Sequence, residues 1–334
     1  MECIINLESL GTETRKKPVF YASHDLVVYK EGRHIELANC AGEVLAQVPC
    51  PPNARQYEYL DLDDALVFIF GGKDLILFDK SGEAPLSYRI ETDRWGKVIT
   101  KLYPSHHKNA VVFGTKVQDR VQFINFNFVN QERISQSTSW KVNGIDDVVV
   151  KNGTLYSILD SSFLVSCRIE TCETLWTRFE YSLIKPKIIP YNRGLLYTCQ
   201  NVLKFSRGET SDLTKIPMIQ ISNLIGVQDD HLFLTSNQSK NICAYNLKDK
   251  KLIWEIVGQS PILETLLVKG QKLYDIDLVL LARMKDDLSI LNLTEGRSSH
   301  YFKLPGAYRM RQTADHVLVH KYNQHTDMIP GIRK

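Results

Sequence analysis

The sequence predicts an all-β fold, a β-propeller of about eight four-stranded blades, and three observations support this prediction. Short apolar runs such as ALVFIF (65–70) and HVLVH (316–320) are separated by clusters of Gly, Asn, Asp and Lys, which is typical of short antiparallel strands. No window of about 12 residues or more keeps an apolar stripe with a helical period. Two turn signatures recur along the chain at an interval of about 42 residues.

The first signature is an Asx-rich turn that precedes the second strand of each unit. Asx side chains are favoured in turns because they bond to nearby backbone and tolerate turn geometry. These turns lie at residues 25, 64, 109, 152, 192, 230, 277 and 315. The successive gaps are 39, 45, 43, 40, 38, 47 and 38 residues, which is the length expected of a propeller blade.

The second signature is the turn of a hairpin in each unit, and it recurs in phase with the first. It lies near residues 11, 42, 82, 130, 172, 208, 250 and 296. In FLVSCRIETCETLW (163–176) and NICAYNLKDKKLIW (241–254), a strand and a charged turn are followed by a strand that ends in an aromatic residue. We therefore expect Trp254 to pack between blades rather than to contact a ligand.

The two ends of the chain predict how the propeller closes. Residues 1–25 and 316–334 contribute 25 and 19 residues, and their sum of 44 is one repeat. The apolar run CIINL (3–7) has no inner partner of its own, so we expect the N-terminal strand to complete the last blade. Closure of this kind removes exposed sheet edges.

The predicted organisation is a single propeller domain over residues 1–322, followed by a C-terminal tail over residues 323–334. Seven blades is the alternative to eight, if the weak unit around residues 183–217 is an insertion.

The hairpin sequence resembles the repeats of known propeller superfamilies. AYNLKDKKLIWE (244–255) and SCRIETCETLWT (166–177) look like the quinoprotein-type repeat, in which an apolar strand, a turn and a Trp close each blade. WD repeats are less similar, because none of the four tryptophans precedes Asp and no Gly-His dipeptide occurs. A degenerate WD-like propeller remains the alternative. Either resemblance implies the fold and leaves the function open, since propellers include both enzymes and scaffolds.

Composition narrows the class of protein and its compartment. The 41 basic and 38 acidic residues nearly balance, so charge alone does not favour nucleic acid or a membrane surface as the partner. The seven cysteines show no Cys-x-x-Cys spacing, which suits reduced thiols in an intracellular protein, cytoplasmic or nuclear. No apolar stretch is long enough for a membrane-spanning helix, and we expect no membrane association.

No motif predicts a catalytic residue, a cofactor or a bound metal. Quinoprotein dehydrogenases typically hold their cofactor beside an adjacent cysteine pair, which this chain lacks. His316 and His320 lie about 13 Å apart on a predicted strand, too far for two ligands of one zinc ion. Paired carboxylates such as Asp63 and Asp64 recur at turns, and only in a shared cleft would they suit hydrolase or lyase chemistry.

One face of the predicted propeller is enriched in basic and aromatic residues. Connections between blades share this face with the turns between second and third strands. The segments expected there are 49–56, 91–96, 116–120, 180–187 and 305–311. The candidate binding residues on them are Arg55, Arg94, Trp95, Lys116, Arg120, Tyr181, Lys185, Lys187, Tyr308, Arg309 and Arg311. Exposed Arg and aromatic side chains are typical of binding hot spots, and the same composition would suit nucleic acid.

The sequence therefore predicts a non-enzymatic intracellular scaffold, a subunit of a larger complex that binds partner proteins through this face. One alternative is an accessory subunit that associates with nucleic acid in RNA processing. The other is a propeller-fold hydrolase or lyase.

Overall fold

The structure, a computed structural model, is an all-β propeller with eight four-stranded blades, as the sequence predicts. The residues that it describes are 13–15, 17–107, 109–180, 187–192, 194–199, 202–207, 210–214, 221–236, 238–258, 260–269, 271–273, 276–285, 287–323, 325–330 and 332–333. Within this part of the chain, no helix has the length and apolar character needed to cross a membrane.

The secondary structure consists of short strands and one four-residue helix in the described residues. The elements are β1 (Glu13–Arg15), β2 (Val19–Ala22), β3 (Leu26–Glu31), β4 (His34–Asn39), β5 (Val44–Pro49), β6 (Tyr57–Asp61), β7 (Ala65–Phe70), β8 (Asp74–Asp79), β9 (Leu86–Arg89), α1 (Thr92–Trp95), β10 (Lys97–Val98), β11 (Tyr103–Pro104), β12 (Ala110–Val117), β13 (Arg120–Asn127), β14 (Glu132–Gln136), β15 (Trp140–Lys141), β16 (Ile145–Lys151), β17 (Thr154–Leu159), β18 (Phe163–Arg168), β19 (Thr174–Phe179), β20 (Ile188–Tyr191), β21 (Gly194–Cys199), β22 (Val202–Arg207), β23 (Thr210–Thr214), β24 (Ile221–Gln228), β25 (His231–Ser236), β26 (Asn241–Asn246), β27 (Lys251–Ile256), β28 (Glu264–Val268), β29 (Gln271–Lys272), β30 (Val279–Arg283), β31 (Asp287–Asn292), β32 (Arg297–Lys303), β33 (Ala307–Gln312), β34 (His316–Lys321), β35 (Thr326–Pro330) and β36 (Ile332–Arg333).

Two compact units divide the blades equally. Unit 1 comprises residues 1–47 and 217–334, and unit 2 comprises residues 48–216. In unit 1, blade 1 is β2–β5, blade 6 is β24–β27, blade 7 is β28 with β30–β32, and blade 8 is β33–β35 with β1. In unit 2, blade 2 is β6–β9, blade 3 is β10–β15, blade 4 is β16–β19 and blade 5 is β20–β23. The weak unit around residues 183–217 is thus a true blade, and the number of blades is eight rather than seven.

Blade 3 differs from the others because its first and last strands are each split in two. β10 and β11 both pair with β12, and β14 and β15 both pair with β13. The blade therefore contains four short strands around a long central hairpin of β12 and β13.

The N-terminal strand completes blade 8, as predicted. β1 pairs antiparallel with β35, so that Glu13 lies opposite Met328 and Arg15 opposite Thr326. Two side-chain bonds tie blade 8 to blade 1: the Thr326 hydroxyl accepts the backbone N–H of Val19 at 3.2 Å, and the Thr313 hydroxyl donates to the carbonyl of Ala22 at 2.7 Å.

The predicted tail over residues 323–334 is corrected by the structure, because Thr326–Pro330 is the third strand of blade 8. The sequence did not predict this strand, because it contains the charged residue Asp327. This residue is buried next to the apolar residues Met328 and Ile329 and is tolerated there because the ammonium group of Lys321 lies 2.7 Å away. The closing strand is residues 13–15, whereas the run at 3–7 lies outside the described residues.

Both recurring turn signatures coincide with residues in the left-handed region of φ. Before the second strand of a blade these residues are Asn109, Asn152, Asn192 and Asp229, with φ of 57°, 49°, 47° and 52°. In the turn between the third and fourth strands they are Gly42, Gly82, Gln131, Cys172, Lys250 and Gly296. Asx and Gly recur in step because they adopt this conformation at the lowest cost.

A third signature, which the sequence analysis missed, is an Asx residue at the end of the third strand. Its side-chain oxygen accepts backbone N–H groups two or more residues further on and so closes the turn. The residues in this role are Asn39, Asp79, Asn127, Asn246 and Asn292.

Packing between neighbouring blades buries the apolar faces of their sheets. Trp254 of blade 6 packs with Leu280 and Leu291 of blade 7. A Cβ atom added to Gly296 would lie 2.7 Å from the Trp254 ring, so the indole occupies the space that a side chain there would need. The expected role of Trp254 as a packing residue between blades is confirmed.

Candidate interaction surfaces

Each blade has a loop end, where its second strand turns into its third and where the chain passes to the next blade. The described residues that the sequence singled out for binding lie at this end or on the strands beside it. The loop ends of unit 1 and unit 2 differ in chemistry and are described separately.

The loop end of unit 1 carries the most exposed large hydrophobic residues. Among large hydrophobic residues in the described chain, the three most exposed are Val257 (74%), Tyr322 (73%) and Leu263 (59%). Val257 and Leu263 border the connection from blade 6 to blade 7, and Tyr322 lies in the turn between β34 and β35. Together with Tyr308, these residues are called the apolar surface of unit 1.

Buried Arg283 connects the parts of this surface. Its carbonyl accepts the backbone N–H of Leu263 at 2.8 Å, and its guanidinium donates to the carbonyls of Ala307 at 3.1 Å and Tyr308 at 3.3 Å. Glu264 balances its charge, with one carboxylate oxygen 3.1 Å from the guanidinium. The connection between blades 6 and 7 is therefore fixed to the first strand of blade 8.

The ring of Tyr308 stacks on that of Tyr322, with centroids 5.0 Å apart and planes inclined by 29°. The backbone N–H of Tyr322 donates to the carbonyl of Gly306 at 2.9 Å, which fixes the turn that carries the outer ring. The pair presents one half-buried and one exposed phenol, each with an apolar body and a polar tip, as is common in protein interfaces.

The expected loop 305–311 is corrected, because Tyr308, Arg309 and Arg311 lie on strand β33. All three side chains are half-buried. Arg309 and Arg311 act on His320 of the neighbouring strand: burial first, and then these two positive charges, lower the pKa of His320 to about 3. His320 is therefore neutral at physiological pH.

The loop end of unit 2 is a continuous network of backbone hydrogen bonds. These bonds join the turn of one blade to the connection before or after it. As donor and acceptor they are Gly71 N to Gln56 O (2.6 Å), Ile90 N to Lys73 O (2.7 Å), Val98 N to Gly72 O (2.9 Å), Val142 N to Asp119 O (3.1 Å) and Asp160 N to Gly144 O (3.1 Å). Since all of these groups are main-chain, the bonds hold the surface in place independently of its side chains.

Four basic residues lie at the loop end of blade 3, one on each of four neighbouring strands. They are Lys97 on β10, Lys116 on β12, Arg120 on β13 and Lys141 on β15, and are called the basic cluster of blade 3. Lys97 lies directly opposite Lys116, and Arg120 directly opposite Lys141. Like charges directly opposite each other destabilise a sheet.

Few acidic groups neutralise this end of unit 2. Asp119 lies 3.6 Å from Lys141, and Glu91 lies 4.0 Å from Arg94. The Lys116 ammonium donates to the carbonyl of Asn143. At this loop end, the described bases without an ion-pair partner are Arg55, Lys73, Lys97, Lys116 and Arg120, and the described acidic residues in that state are Asp93, Asp146 and Asp160. The uncompensated charge is positive.

Trp95 is not an exposed contact residue, which corrects the sequence prediction. It is 6% exposed and packs in a core cluster with Val98 and Phe113. The guanidinium groups of Arg94 and Arg133 lie 4.3 Å and 5.1 Å from its ring and cover it. The sequence could not reveal this burial, because α1 is a single turn with no apolar period.

Lys187 is half-buried beside Asp147. The Asp147 carboxylate accepts the backbone N–H of Ile188 at 2.7 Å. Burial raises the pKa of Asp147, against the lowering effects of that bond and of the Lys187 charge. Lys187 thus contributes to the contact between blades 4 and 5. Tyr181 and Lys185 lie outside the described residues.

The histidines that suggested a metal site are separated by the fold. The His316 ring lies 6.4 Å from that of His24, whereas His320 faces Tyr308. In the described residues, no three His, Cys, Asp or Glu side chains are grouped to hold a metal ion. A cavity of about 290 Å³ between blades 1 and 8 is lined by His24, His316, Cys40 and Met328, among others.

The residues that the sequence analysis missed are Lys97 and Lys141 in unit 2, and Val257, Leu263 and Tyr322 in unit 1. The pairing of Lys97 with Lys116 depends on sheet register, which the sequence does not reveal. Val257 and Leu263 carried a readable signal, since they are apolar residues in a connection, VGQSPIL (257–263), that is otherwise turn-like.

Similar solved structures are also propellers. BamB from Moraxella catarrhalis superposes with a TM-score of 0.64 at 11% identity, covering 93% of this chain and 95% of that chain. The computationally designed Ika8 protein gives a TM-score of 0.65 at 11% identity, covering 95% and 98%. The C-terminal WD40 domain of Sif2 gives 0.64 at 10% identity, covering 94% and 96%.

These similarities confirm the predicted propeller at the level of fold. No protein-family model matches the sequence, and no curated protein matches it. At about 10% identity the shared fold does not carry function, so a function has to be argued from the surfaces of this chain.

Proposed function

We propose that this propeller is a non-enzymatic intracellular scaffold and that a partner protein of a larger complex docks on the apolar surface of unit 1. The observation that carries the proposal is that Val257, Leu263 and Tyr322, the most exposed large hydrophobic residues described, lie at the same loop end. Single apolar residues scattered over a surface are normal, whereas exposed apolar residues that are grouped together mark an interaction site. Leu263 and Tyr322 are linked through Arg283 and Tyr308.

The way the surface is held supports this proposal. Arg283 bonds to Leu263, Ala307 and Tyr308 through backbone groups, and Glu264 neutralises its charge. Docking then requires little ordering of the scaffold, so less of the interaction free energy is lost on binding. Tyrosine adds contact area at a low cost in side-chain entropy.

The chemistry of the surface favours protein over nucleic acid. Single-stranded nucleic acid is bound by aromatic side chains along a positively charged groove. Two of the four residues here are aliphatic, and Glu264 neutralises the buried guanidinium.

The test is affinity purification of the tagged chain with quantitative mass spectrometry. The variant Leu263→Ser/Tyr322→Ser removes two exposed apolar side chains from the surface. Its matched control is Leu86→Ser/Val129→Ser, which removes two side chains that are 45% and 47% exposed in unit 2. We expect the surface variant to lose co-purified proteins at least about tenfold, or about 1.4 kcal/mol, while the control retains them.

Thermal unfolding of both variants should match that of the unmodified chain, because all four side chains are exposed. An unchanged set of co-purified proteins in the surface variant would refute the proposal. Proteins that are lost only after nuclease treatment would favour the nucleic-acid alternative instead.

A further inference from the structure

The basic cluster of blade 3 destabilises the sheet on which it lies. Lys97 opposes Lys116, and Arg120 opposes Lys141, so each like-charged pair raises the free energy of the folded state. The two pairs lie on opposite faces of the blade, because Lys116 and Val117 are adjacent in β12 and Val117 is paired with Arg120. Positive charge therefore surrounds the end of this sheet.

The charges within the cluster are largely uncompensated. Asp119 lies 3.6 Å from Lys141, and the Lys116 ammonium is held by a neutral carbonyl. Lys97 and Arg120 have no ion-pair partner within the described part of the chain. An anionic ligand would relieve the repulsion in both pairs, so its binding would be favoured by more than its direct contacts.

We propose that the basic cluster of blade 3 binds a short acidic segment of a protein, in an extended conformation. Neighbouring strands are about 4.8 Å apart, so the four strands that carry the cluster span about 14 Å. An extended chain advances about 3.4 Å per residue, and a segment of about five residues covers that distance. Two or three of its carboxylates then reach the cluster.

Carboxylates of a peptide suit this surface better than a nucleic-acid backbone does. Glu91, Asp93 and Asp119 are exposed beside the bases and would repel a continuous row of phosphates. Trp95 is buried, so it provides no ring on which a base could stack. A peptide can place its acidic residues at the bases and neutral residues near Asp119.

The basic cluster of blade 3 can be tested independently of the apolar surface of unit 1, with two labelled probes. Fluorescence anisotropy is measured with fluorescein-labelled hexaglutamate, and with a labelled thymidine heptamer that carries six phosphodiester charges. The cluster variant is Lys97→Glu/Arg120→Glu. The control variant, Lys248→Glu/Lys251→Glu, makes the same change in net charge at exposed positions of blade 6.

We expect hexaglutamate to bind the cluster variant at least about tenfold more weakly than the unmodified chain, and the control less than about threefold more weakly. Asp119→Asn should tighten hexaglutamate binding a few-fold, because it removes the carboxylate beside Lys141. This gain cannot arise from damage to the fold.

Equal binding of hexaglutamate by the cluster and control variants would overturn the proposal, as would an Asp119→Asn variant with unchanged affinity. Tighter binding of the heptamer than of hexaglutamate, lost in the cluster variant, would reassign the cluster to nucleic acid.

Discussion

Lys97 of β10 and Lys116 of β12 lie directly opposite each other, so two ammonium groups share one row of the blade 3 sheet. Reversing one charge should therefore stabilise the protein. We expect Lys97→Glu to raise the free energy of unfolding by about 0.2–1 kcal/mol, with a gain that shrinks as salt screens the pair. Thermal melts at low and high salt measure this, with Lys248→Glu as the control. A Lys97→Glu variant less stable than the control would show that repulsion between Lys97 and Lys116 does not destabilise the protein.

The seam between blades 8 and 1 depends on the Thr326 hydroxyl, which accepts the buried backbone N–H of Val19. Thr326→Val keeps the shape of the side chain and leaves that N–H without its acceptor. A buried unsatisfied donor costs about 1–3 kcal/mol. Urea denaturation should show a loss of that size, whereas Thr294→Val at an exposed turn should change little. Equal midpoints for the two variants would show that the bond does not hold the seam.

Glu180 is the centre of a buried charge network between blades 4 and 5. Its carboxylate accepts from Lys204 at 2.6 Å and from the Tyr197 hydroxyl at 2.7 Å, and Arg178 lies 3.0 Å away. Burial alone would raise the pKa of Glu180, but the bonds from Lys204 and Tyr197 and the two positive charges bring it below its ordinary value. The stabilisation is therefore fully present above the unfolded pKa of about 4.3 and is lost as pH falls through the folded pKa.

Glu180→Gln should destabilise the protein by about 2 kcal/mol at pH 7, because it leaves the half-buried Arg178 and Lys204 without their counter-charge. It should also flatten the dependence of stability on pH below about 4.3. Denaturant titrations at pH 7 and at acidic pH measure both effects, with exposed Glu173→Gln as the control. If Glu180→Gln follows the control at both pH values, the network contributes no stability.

His320, like Glu180, makes the protein less stable as the pH is lowered, although histidine is a base and glutamate an acid. Burial, with Arg311 and Arg309, lowers its pKa to about 3, whereas an unfolded histidine titrates near about 6.5. Between these values the unfolded chain binds the extra proton, so stability falls by up to about 1.4 kcal/mol for each unit of pH lowered.

His320→Asn should remove that dependence between about pH 6.5 and pH 4. The measurement is the free energy of unfolding as a function of pH, compared with His107→Asn, which changes an exposed histidine. A His320→Asn curve parallel to that of the control would contradict the low pKa.

The repeat could be predicted from the sequence because its markers have local physical causes. Asn109, Asn152 and Gly296 recur in step since each adopts positive φ within its own turn, and such turns are specified by residues close in the chain. The closing strand could also be predicted, because the two ends together make up one repeat. The strand at 326–330 was missed since Asp327 is acceptable there only with Lys321 beside it.

The candidate surfaces were predictable only in part. The sequence placed Lys116, Arg120 and Tyr308 at or near the correct end of the blades, because the order of strands determines which turns share an end. It failed for Trp95, whose burial depends on residues from neighbouring strands that pack around it.

The amino-acid order thus sufficed for the fold class and the closure by the N-terminal strand, which follow from local turn chemistry repeated about every 42 residues, whereas the structure decided between eight blades and seven. Tertiary structure alone decided that Lys97 opposes Lys116 and that Tyr308 stacks on Tyr322. Strand register and side-chain packing bring together residues that are distant in the chain, and a pattern of residues close in the sequence does not predict such contacts.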